Sequence, residues 1–252
     1  TFPGGMMAVL AGKPLVLHEQ NSIAGMANKV LAQVADRVFT AFPQVLPKAD
    51  WIGNPLREGF VQQPTPAQRY AQRSGPLHLL VVGGSLGAQA LNTLVPQALA
   101  LIPEGERPIV THQSGAKQLD ALRAAYAQAG VTANLTAFID DTAQAFAQAD
   151  IVIARAGAST VTELAAIGVP AIYVPFPHAV DDHQTTNARF VVEAGGGWLM
   201  PQHELTAPAL AAHLQRLNRT QLQQYGERAY AVRKTQATQD VVAACEALAA
   251  KG

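Results

Sequence analysis

Short apolar runs alternate with longer amphipathic stretches through most of the chain from residue 77 onward. The runs are rich in consecutive Val, Ile and Leu, which is typical of strands buried on both faces of a parallel sheet. They occupy residues 77–84, 108–115, 134–140, 150–157, 170–176 and 196–201. The intervening pattern predicts helices at about 86–101, 115–129, 142–149, 159–168, 183–195 and 206–218, and two more helices close the chain. This alternation predicts an α/β fold, a doubly wound parallel sheet covered by helices.

The first 50 residues repeat the alternation on a smaller scale. A glycine turn and helix, a strand at 14–21, a helix at about 24–35 and a strand at 36–43 form a βαβ remnant, too small to close its own sheet. Residues 51–75 are polar and contain several prolines, which indicates an interdomain linker. We expect a truncated N-terminal domain at 1–56, a larger domain at 57–232 and a final helix at 233–252 that packs back on the first.

Composition limits the classes of function. The chain has 252 residues, 49% of them hydrophobic, so it can bury a substantial core. Eighteen basic and eighteen acidic residues give no net charge and no indication of a nucleic-acid partner. No apolar run approaches the ~20 residues that span a bilayer. The one cysteine, Cys245, cannot form an internal disulfide, which fits a reducing cytoplasm, and we expect it to pack inside a helix interface.

A glycine-rich loop at 83–88 lies directly between a predicted strand and a predicted helix. Backbone amides and the helix dipole favour an anion such as a diphosphate at such a junction, and Ser85 could donate its hydroxyl to it. Ser85 could equally be a plain N-cap. The same residues also fit the G-x-S-x-G nucleophile elbow of an α/β-hydrolase. The acid and histidine candidates of that hydrolase are Asp141, Asp150, His178 and His183.

The loop at 154–163 is the second junction of this kind. Two phosphate-compatible helix starts in one sheet suit a nucleotide diphosphate at the switch point of a doubly wound fold, whereas a hydrolase has no use for the second. The alternative is a capping box of Thr160 and Glu163. Neither loop matches G-x-G-x-x-G, and this disfavours a nicotinamide cofactor.

Further candidates follow other strands. The strand at 134–140 brings Ile139 to the carboxyl edge, where backbone groups could pair with a base, although a strand end followed by a helix cap at Asp141 or Thr142 is at least an equal alternative. Arg57 could stack on a base or face a phosphate, although composition alone favours a solvated arginine in the linker, and Gln184 could read sugar hydroxyls. His18 after the first strand is expected to be structural.

A metal site is disfavoured. It would involve His178, Asp181 and His183, whose spacing matches no zinc signature. We therefore expect neither a metal nor another cofactor.

Several motifs in fixed order resemble one family across nearly the whole chain. They are HEQNSIAGMANK, GNPLR, GGSLGAQALN, HQSG, FIDD and the run from RAGASTVTE to DDHQTTNA. They resemble the MurG family of GT-B glycosyltransferases. The resemblance implies inverting transfer of N-acetylglucosamine from its UDP donor to the C4 hydroxyl of a lipid-linked muramyl-pentapeptide, a step of peptidoglycan and cell-wall synthesis at the cytoplasmic face of the bacterial inner membrane.

The resemblance also implies roles for individual residues. Asn21 would touch the donor sugar, Arg57 would lie beside the nucleotide, and Ser85 would contact the diphosphate. Ile139 would hold uracil through its backbone, and Gln184 would recognise the sugar hydroxyls. Phosphate and ribose would be cradled by Ala158, Ser159, Thr160, Val161, Thr162 and Glu163, with Glu163 on the ribose.

The family's N-terminal domain is expected to precede Thr1 and to carry the candidate catalytic base and much of the membrane-facing surface. The catalytic base is therefore unknown here, and the chain alone is expected to bind donor without turnover. The alternatives that remain are a UDP-N-acetylglucosamine 2-epimerase of similar fold, a serine hydrolase using Ser85, and a donor-binding module without activity.

Overall fold

A computed structural model describes residues 2–84, 88–177 and 179–250, which form two parallel β-sheets with helices packed on them. The smaller sheet has three strands in chain order, β1 (Val16–Glu19), β2 (Arg37–Thr40) and β3 (Asp50–Trp51). Helices α1 (Phe2–Leu10) and α2 (Met26–Leu31) precede β1 and β2. The βαβ unit expected near the start is therefore present.

The larger sheet has six parallel strands. They are β4 (His78–Val82), β5 (Ile109–Gln113), β6 (Asn134–Thr136), β7 (Ile151–Ala154), β8 (Ala171–Tyr173) and β9 (Gly197–Leu199). Their spatial order is β6-β5-β4-β7-β8-β9, so the chain builds outward from β4 in one direction and then from β7 in the other. This is the strand order of a doubly wound nucleotide-binding fold, and the predicted fold class is confirmed.

Helices cover both faces of this sheet, as the alternation predicted. They are α5 (Gln89–Ala100), α6 (Leu119–Ala129), α7 (Thr142–Gln148), α8 (Ala158–Ile167), α9 (His183–Glu193), α10 (Ala207–Gln215) and α11 (Arg219–Ala231), and the final helix of the chain is α12 (Ala237–Ala249). Along β4 and β7 alternate side chains enter two separate cores. Leu79 and Ile153 pack with α5 and α10 on one face, whereas Leu80 and Val152 pack with α7 and α8 on the other. The continuous apolar runs therefore mark strands with two buried faces.

Residues 51–75, which their polarity marks as a linker, are folded. Helices α3 (Glu58–Val61) and α4 (Pro66–Ala71) lie here, and α4 starts with a capping box of Thr65 and Gln68. Phe60 and Tyr70 are buried in the cores of the larger sheet. The polar composition of this segment did not predict the two helices, because a helix this short needs only a few apolar residues to pack on the core.

The last helix returns to the smaller sheet. Ala237 is buried against Phe39 and Ile52, and Val241 packs on the same cluster. The boundaries near residues 56 and 232 stay predictions. Cys245, expected inside a helix interface, is exposed, so that expectation is wrong: the residue lies on the outer face of α12.

A buried carboxylate holds the amino ends of the two central strands. Asp150, directly before β7, accepts hydrogen bonds from the His78 amide (2.8 Å), Arg73 (2.6 Å) and Arg219 (3.1 Å). Burial alone would raise the pKa of Asp150, but the hydrogen bonds from Arg219, from the His78 amide and from Arg73 outweigh it and hold the pKa below its usual value. Asp150 is therefore an ionised structural group.

We predict that Asp150→Asn lowers the free energy of unfolding by about 3–5 kcal/mol, because it leaves two guanidinium groups without their carboxylate. Since the pKa of Asp150 is depressed on folding, its stabilisation is present above the unfolded pKa and is lost as pH falls through the folded one. Urea denaturation at neutral and acidic pH measures both effects. Asp120→Asn is the control, because its side chain is 97% exposed. Equal decreases in the free energy of unfolding of the two variants would contradict the structural role of Asp150.

Candidate functional site

The carboxyl ends of β4 and β7 form the centre of the candidate site. The two strands are neighbours, with Val82 opposite Ala154, yet β4 leads toward β5 and β7 leads toward β8. The loops after them therefore diverge and leave a crevice, the usual ligand position in open α/β sheets. The predicted diphosphate contact Ser85 lies in the first of these loops, outside the described residues.

Both helices that start at this crevice begin without a side-chain cap. The N-cap of α5 is Ala88 and that of α8 is Gly157, and neither makes a side-chain cap hydrogen bond. The capping box proposed for Thr160 and Glu163 is therefore wrong, because the helix starts three residues earlier than such a box requires. The first-turn amides of α8 remain oriented toward the crevice, where they can bind an anion.

The residues of the first two turns of α8 differ in exposure. Ala158 is buried and Ser159 is exposed, so Ala158 can reach a ligand only through its amide. Val161 is fully buried in the core, and its amide donates to the Gly157 carbonyl. Thr162 donates back to the Ala158 carbonyl (2.9 Å). The predicted phosphate cradle thus consists mainly of backbone.

Glu163 is the titratable group of the site. Its side chain is only 19% exposed, and burial raises its pKa to about 7, although Arg57 opposes the shift. The Arg57 Nη2 lies 3.8 Å from Glu163 Oε1, and Arg57 itself is 68% exposed and stacks over the Phe60 ring. The sequence had placed these two residues in one site, and the structure brings them together.

A second contact holds the same segment to α8. Asn54 Nδ2 donates to Thr162 Oγ1 at 3.3 Å. Asn54 is buried, and its Oδ1 has no hydrogen-bond partner in the described part of the chain. The chain therefore passes from the smaller sheet into the site along the side of α8.

Gln184 fixes the loops beside α8. Its Oε1 accepts from the amides of Ala156 (3.2 Å) and Phe176 (2.9 Å), so it joins the loop after β7 to the loop after β8. The carbonyl half of the amide is thereby occupied. Only its NH2 half remains for the sugar recognition that the sequence predicted.

Asn187 is the residue that sequence reasoning missed. It is fully buried, accepts from the Ser22 amide (2.9 Å) and hydroxyl (2.8 Å), and donates to the Ala156 carbonyl (3.2 Å) and to Asn21 Oδ1 (3.3 Å). It therefore connects the loop after β1 with the loop after β7. The available signal was its position three residues after Gln184, which places both side chains on one face of α9.

Glu19 shapes the loop that carries Asn21. The carboxylate is buried and accepts from the Asn21 amide (2.9 Å), from the Gly25 amide (3.3 Å) and from Asn28 Nδ2 (2.8 Å). His18 Nε2 donates to the Gly53 carbonyl at 2.8 Å, which agrees with the structural role expected for it. Asn21 is half-buried at the end of β1, facing the Asn187 cluster.

Ile139 lies in a loop, because β6 ends at Thr136 rather than continuing to residue 140 as predicted. The strand is short because Thr136 Oγ1 turns to donate to the Phe138 carbonyl (2.7 Å). Ile139 itself is half-buried against the core beside α7. Its backbone is therefore placed by a turn and not by a sheet ladder.

A cavity of about 730 Å³ adjoins the crevice on the α5 side. Its lining includes Gln89, Thr93, Arg155 and Phe176, none of which the sequence singled out. Arg155 donates to the carbonyls of Val174 (3.1 Å) and Pro175 (3.0 Å), so it supports the loop after β8. Burial lowers the pKa of Arg155.

The two acid candidates of the hydrolase alternative have structural roles instead. Asp150 lies at the amino end of β7, at the opposite edge of the sheet from the glycine loop, and Asp141 caps α7 through the Gln144 amide (2.9 Å). His178 falls outside the described residues. Within the described ranges, no three His, Cys, Asp or Glu side chains are grouped so that they could hold a metal ion. No described helix has the length and apolar character needed to cross a bilayer.

Comparison with known proteins identifies the family. The model of the glycosyltransferase family 28 C-terminal domain matches residues 78–243, and that of its N-terminal domain matches residues 1–40. A relative from a Polaromonas species is named UDP-N-acetylglucosamine–N-acetylmuramyl-(pentapeptide) pyrophosphoryl-undecaprenol N-acetylglucosamine transferase. It is 68% identical over 248 residues, which are 98% of this chain and 64% of the relative. The chain thus spans about two thirds of that relative's length.

Solved structures agree with this assignment. A crystal structure of Acinetobacter baumannii MurG superposes with a TM-score of 0.87 at 39% identity, covering 96% of this chain and 69% of that one. The glycosyltransferase VinC, crystallised with dTDP, has a TM-score of 0.65 at 16% identity, covering 100% of this chain and 70% of that one, and shows the shared fold alone. The chain belongs to glycosyltransferase family 28.

Proposed function

We propose that this chain binds UDP-N-acetylglucosamine and serves the transfer of N-acetylglucosamine to the C4 hydroxyl of a lipid-linked muramyl-pentapeptide. The observation that carries the proposal is the meeting of two uncapped helix starts at the switch point, with the buried carboxyl of Glu163 beside them. A diphosphate needs the amides, and a ribose offers hydroxyls to the carboxyl. The names of the relatives select the sugar and the acceptor.

In this proposal each predicted residue takes one part of the donor. Ser85 and the first-turn amides of α8 hold the diphosphate, and Glu163 accepts from the ribose hydroxyls. The Ile139 backbone pairs with uracil, with Arg57 beside the nucleotide. The NH2 group of Gln184 and the side chain of Asn21 face the sugar, which agrees with their contacts at the ends of α9 and β1.

The reaction forms a bond between the acceptor oxygen and the anomeric carbon while the bond from that carbon to the diphosphate breaks, with inversion. The acceptor proton passes to a base that remains unassigned. The negative charge that develops on UDP lies at the starts of α5 and α8, whose dipoles and amides stabilise it. The helix starts therefore supply the electrostatic assistance that the leaving group needs.

The acceptor side of the reaction is also a proposal. The chain spans 64% of the length of one relative named for this transfer and 70% of the length of another. We infer that the complete enzyme works at the cytoplasmic face of the inner membrane as a peripheral protein, because its acceptor carries a polyprenyl lipid. Product analysis with the lipid-linked acceptor distinguishes transfer from epimerisation of the donor.

We predict that UDP-N-acetylglucosamine raises the melting temperature of this chain more than NAD or free N-acetylglucosamine does. At a ligand concentration of about 100 times Kd, preferential binding to the folded state contributes about 2.7 kcal/mol, roughly 5–10 °C for a chain of this size. Differential scanning fluorimetry measures the shifts. Equal shifts for all three ligands, or none with a chain that melts cooperatively, would rule out the donor site.

We predict that donor binding releases a proton near pH 6. Burial holds the pKa of Glu163 at about 7, so the carboxyl is largely protonated there, whereas ribose hydroxyls bind best to the ionised form and lower its pKa. Calorimetry in buffers of different ionisation enthalpy measures the release. The donor's diphosphate is diesterified and does not titrate in this range, so the proton comes from the protein.

Glu163→Gln should abolish this release, and Glu193→Gln, at an exposed site near the end of α9, should retain it. The raised pKa also means that stability falls as pH rises from the unfolded value to about 7. Glu163→Gln should therefore gain about 2–3 kcal/mol over the unmodified chain above pH 7. Unchanged proton release in this variant would show that another group titrates.

A further inference from the structure

One side-chain amide joins two loops at the carboxyl edge of the larger sheet. Gln113 is the last residue of β5, which lies between β4 and β6. Its Nε2 donates to the Gly84 carbonyl in the turn after β4 and to the Ala137 carbonyl in the loop after β6, both at 3.0 Å. A single NH2 group therefore spans the loops on either side of its own strand.

The orientation of this amide is fixed by its partners. Carbonyl oxygens only accept hydrogen bonds, so the NH2 group must face Gly84 and Ala137. Gln113 is 3% exposed, and its Oε1 is buried without a partner in the described part of the chain. An unpaired buried acceptor opposes folding, and an apolar side chain of equal size would avoid that cost. The contribution of the amide is thus the link between the two loops.

The two loops hold the two ends of the proposed nucleotide site. Gly84 directly precedes Ser85, the proposed diphosphate contact, and Ala137 lies two residues before Ile139, the proposed base contact. Gly84 has a positive φ of 82°, so the turn is a special conformation that its neighbours must maintain. Nothing else in the described contacts of Gln113 reaches a third loop.

We propose that Gln113 is a positioning residue that fixes the separation between the loop at Ala137, which leads to the proposed base contact, and the turn at Gly84, which leads to the proposed phosphate contact. The inference rests on the proposed function, because it assumes that the ligand is a uridine diphosphate held at both ends. A ligand that contacts both loops gains the full benefit of its second contact only when the loops are held at the right separation. A ligand that contacts one loop is indifferent to that separation.

The test compares whole and partial ligands in Gln113→Met, which keeps the volume and removes both donated bonds. UDP should bind about tenfold more weakly than to the unmodified chain, corresponding to about 1.4 kcal/mol. Uridine and pyrophosphate, measured separately by ligand-observed NMR, should each change by less than about twofold. Gln128→Met is the matched control, since Gln128 is exposed on α6, and it should leave all three affinities unchanged.

Parallel losses for all three ligands would overturn the inference, because they indicate general damage, and so would an unchanged affinity for UDP. Failure of the unmodified chain to bind UDP would instead overturn the proposed function, so the two failures are distinguishable. Thermal melting without ligand establishes that each variant is folded.

If Gln113→Met does not fold, the inference is tested with Gln113→Glu instead. Its carboxylate cannot donate, but the protonated acid donates one of the two hydrogen bonds. The ratio of its UDP dissociation constant to that of the unmodified chain should therefore fall several-fold between about pH 8 and about pH 5. Taking the ratio cancels the titration of UDP and of Glu163. A ratio that is constant over this range would overturn the inference.

Discussion

β4 and β7 lie side by side with apolar side chains on both faces, and their register places Val82 opposite Ala154. Because both faces are buried, a slip of one residue would turn each strand's side chains into the wrong core, so the register is strongly specified. The chain therefore leaves both strands at the same level and in opposite directions. The crevice, the two helix starts and the loops around them follow from this one pairing.

The two edges of the larger sheet are held by different chemistry. At the amino edge the ionised Asp150 pairs with Arg73 and Arg219. At the carboxyl edge the loops are joined by the neutral amides of Gln113, Gln184 and Asn187. An amide both donates and accepts without carrying a charge, so it can fix a loop without adding a field that would oppose or mimic a diphosphate. Arg155 is the charged exception at this edge, because its guanidinium donates to the carbonyls of Val174 and Pro175 in the loop after β8.

Sequence reasoning succeeded where the signal is local. The apolar runs located every strand of the larger sheet, most directly β7 and β8, which are buried throughout and therefore need such runs. It failed where a contact joins distant residues. The bond from Gln113 to Gly84 spans 29 positions and the one from Asn187 to Ser22 spans 165, so no periodicity reports them. The helix expected at about 159–168 is present as α8, but the alternative capping box at Thr160 is wrong, because Gly157 can be an N-cap without a side chain.

The candidate site is assembled from both sheets. Ser22, after β1, bonds to Asn187 on α9, and Asn54, after β3, bonds to Thr162 on α8. Neither contact involves an ionised group. A third contact, between Arg57 and Glu163, spans 3.8 Å, and because the arginine is largely exposed it contributes little to stability by itself. The two amide contacts therefore hold the segments from the smaller sheet in place. Arg57, whose side chain is 68% exposed, is left able to move toward an anion. The charge of a bound ligand therefore decides whether Arg57 stays near Glu163 or turns toward the ligand.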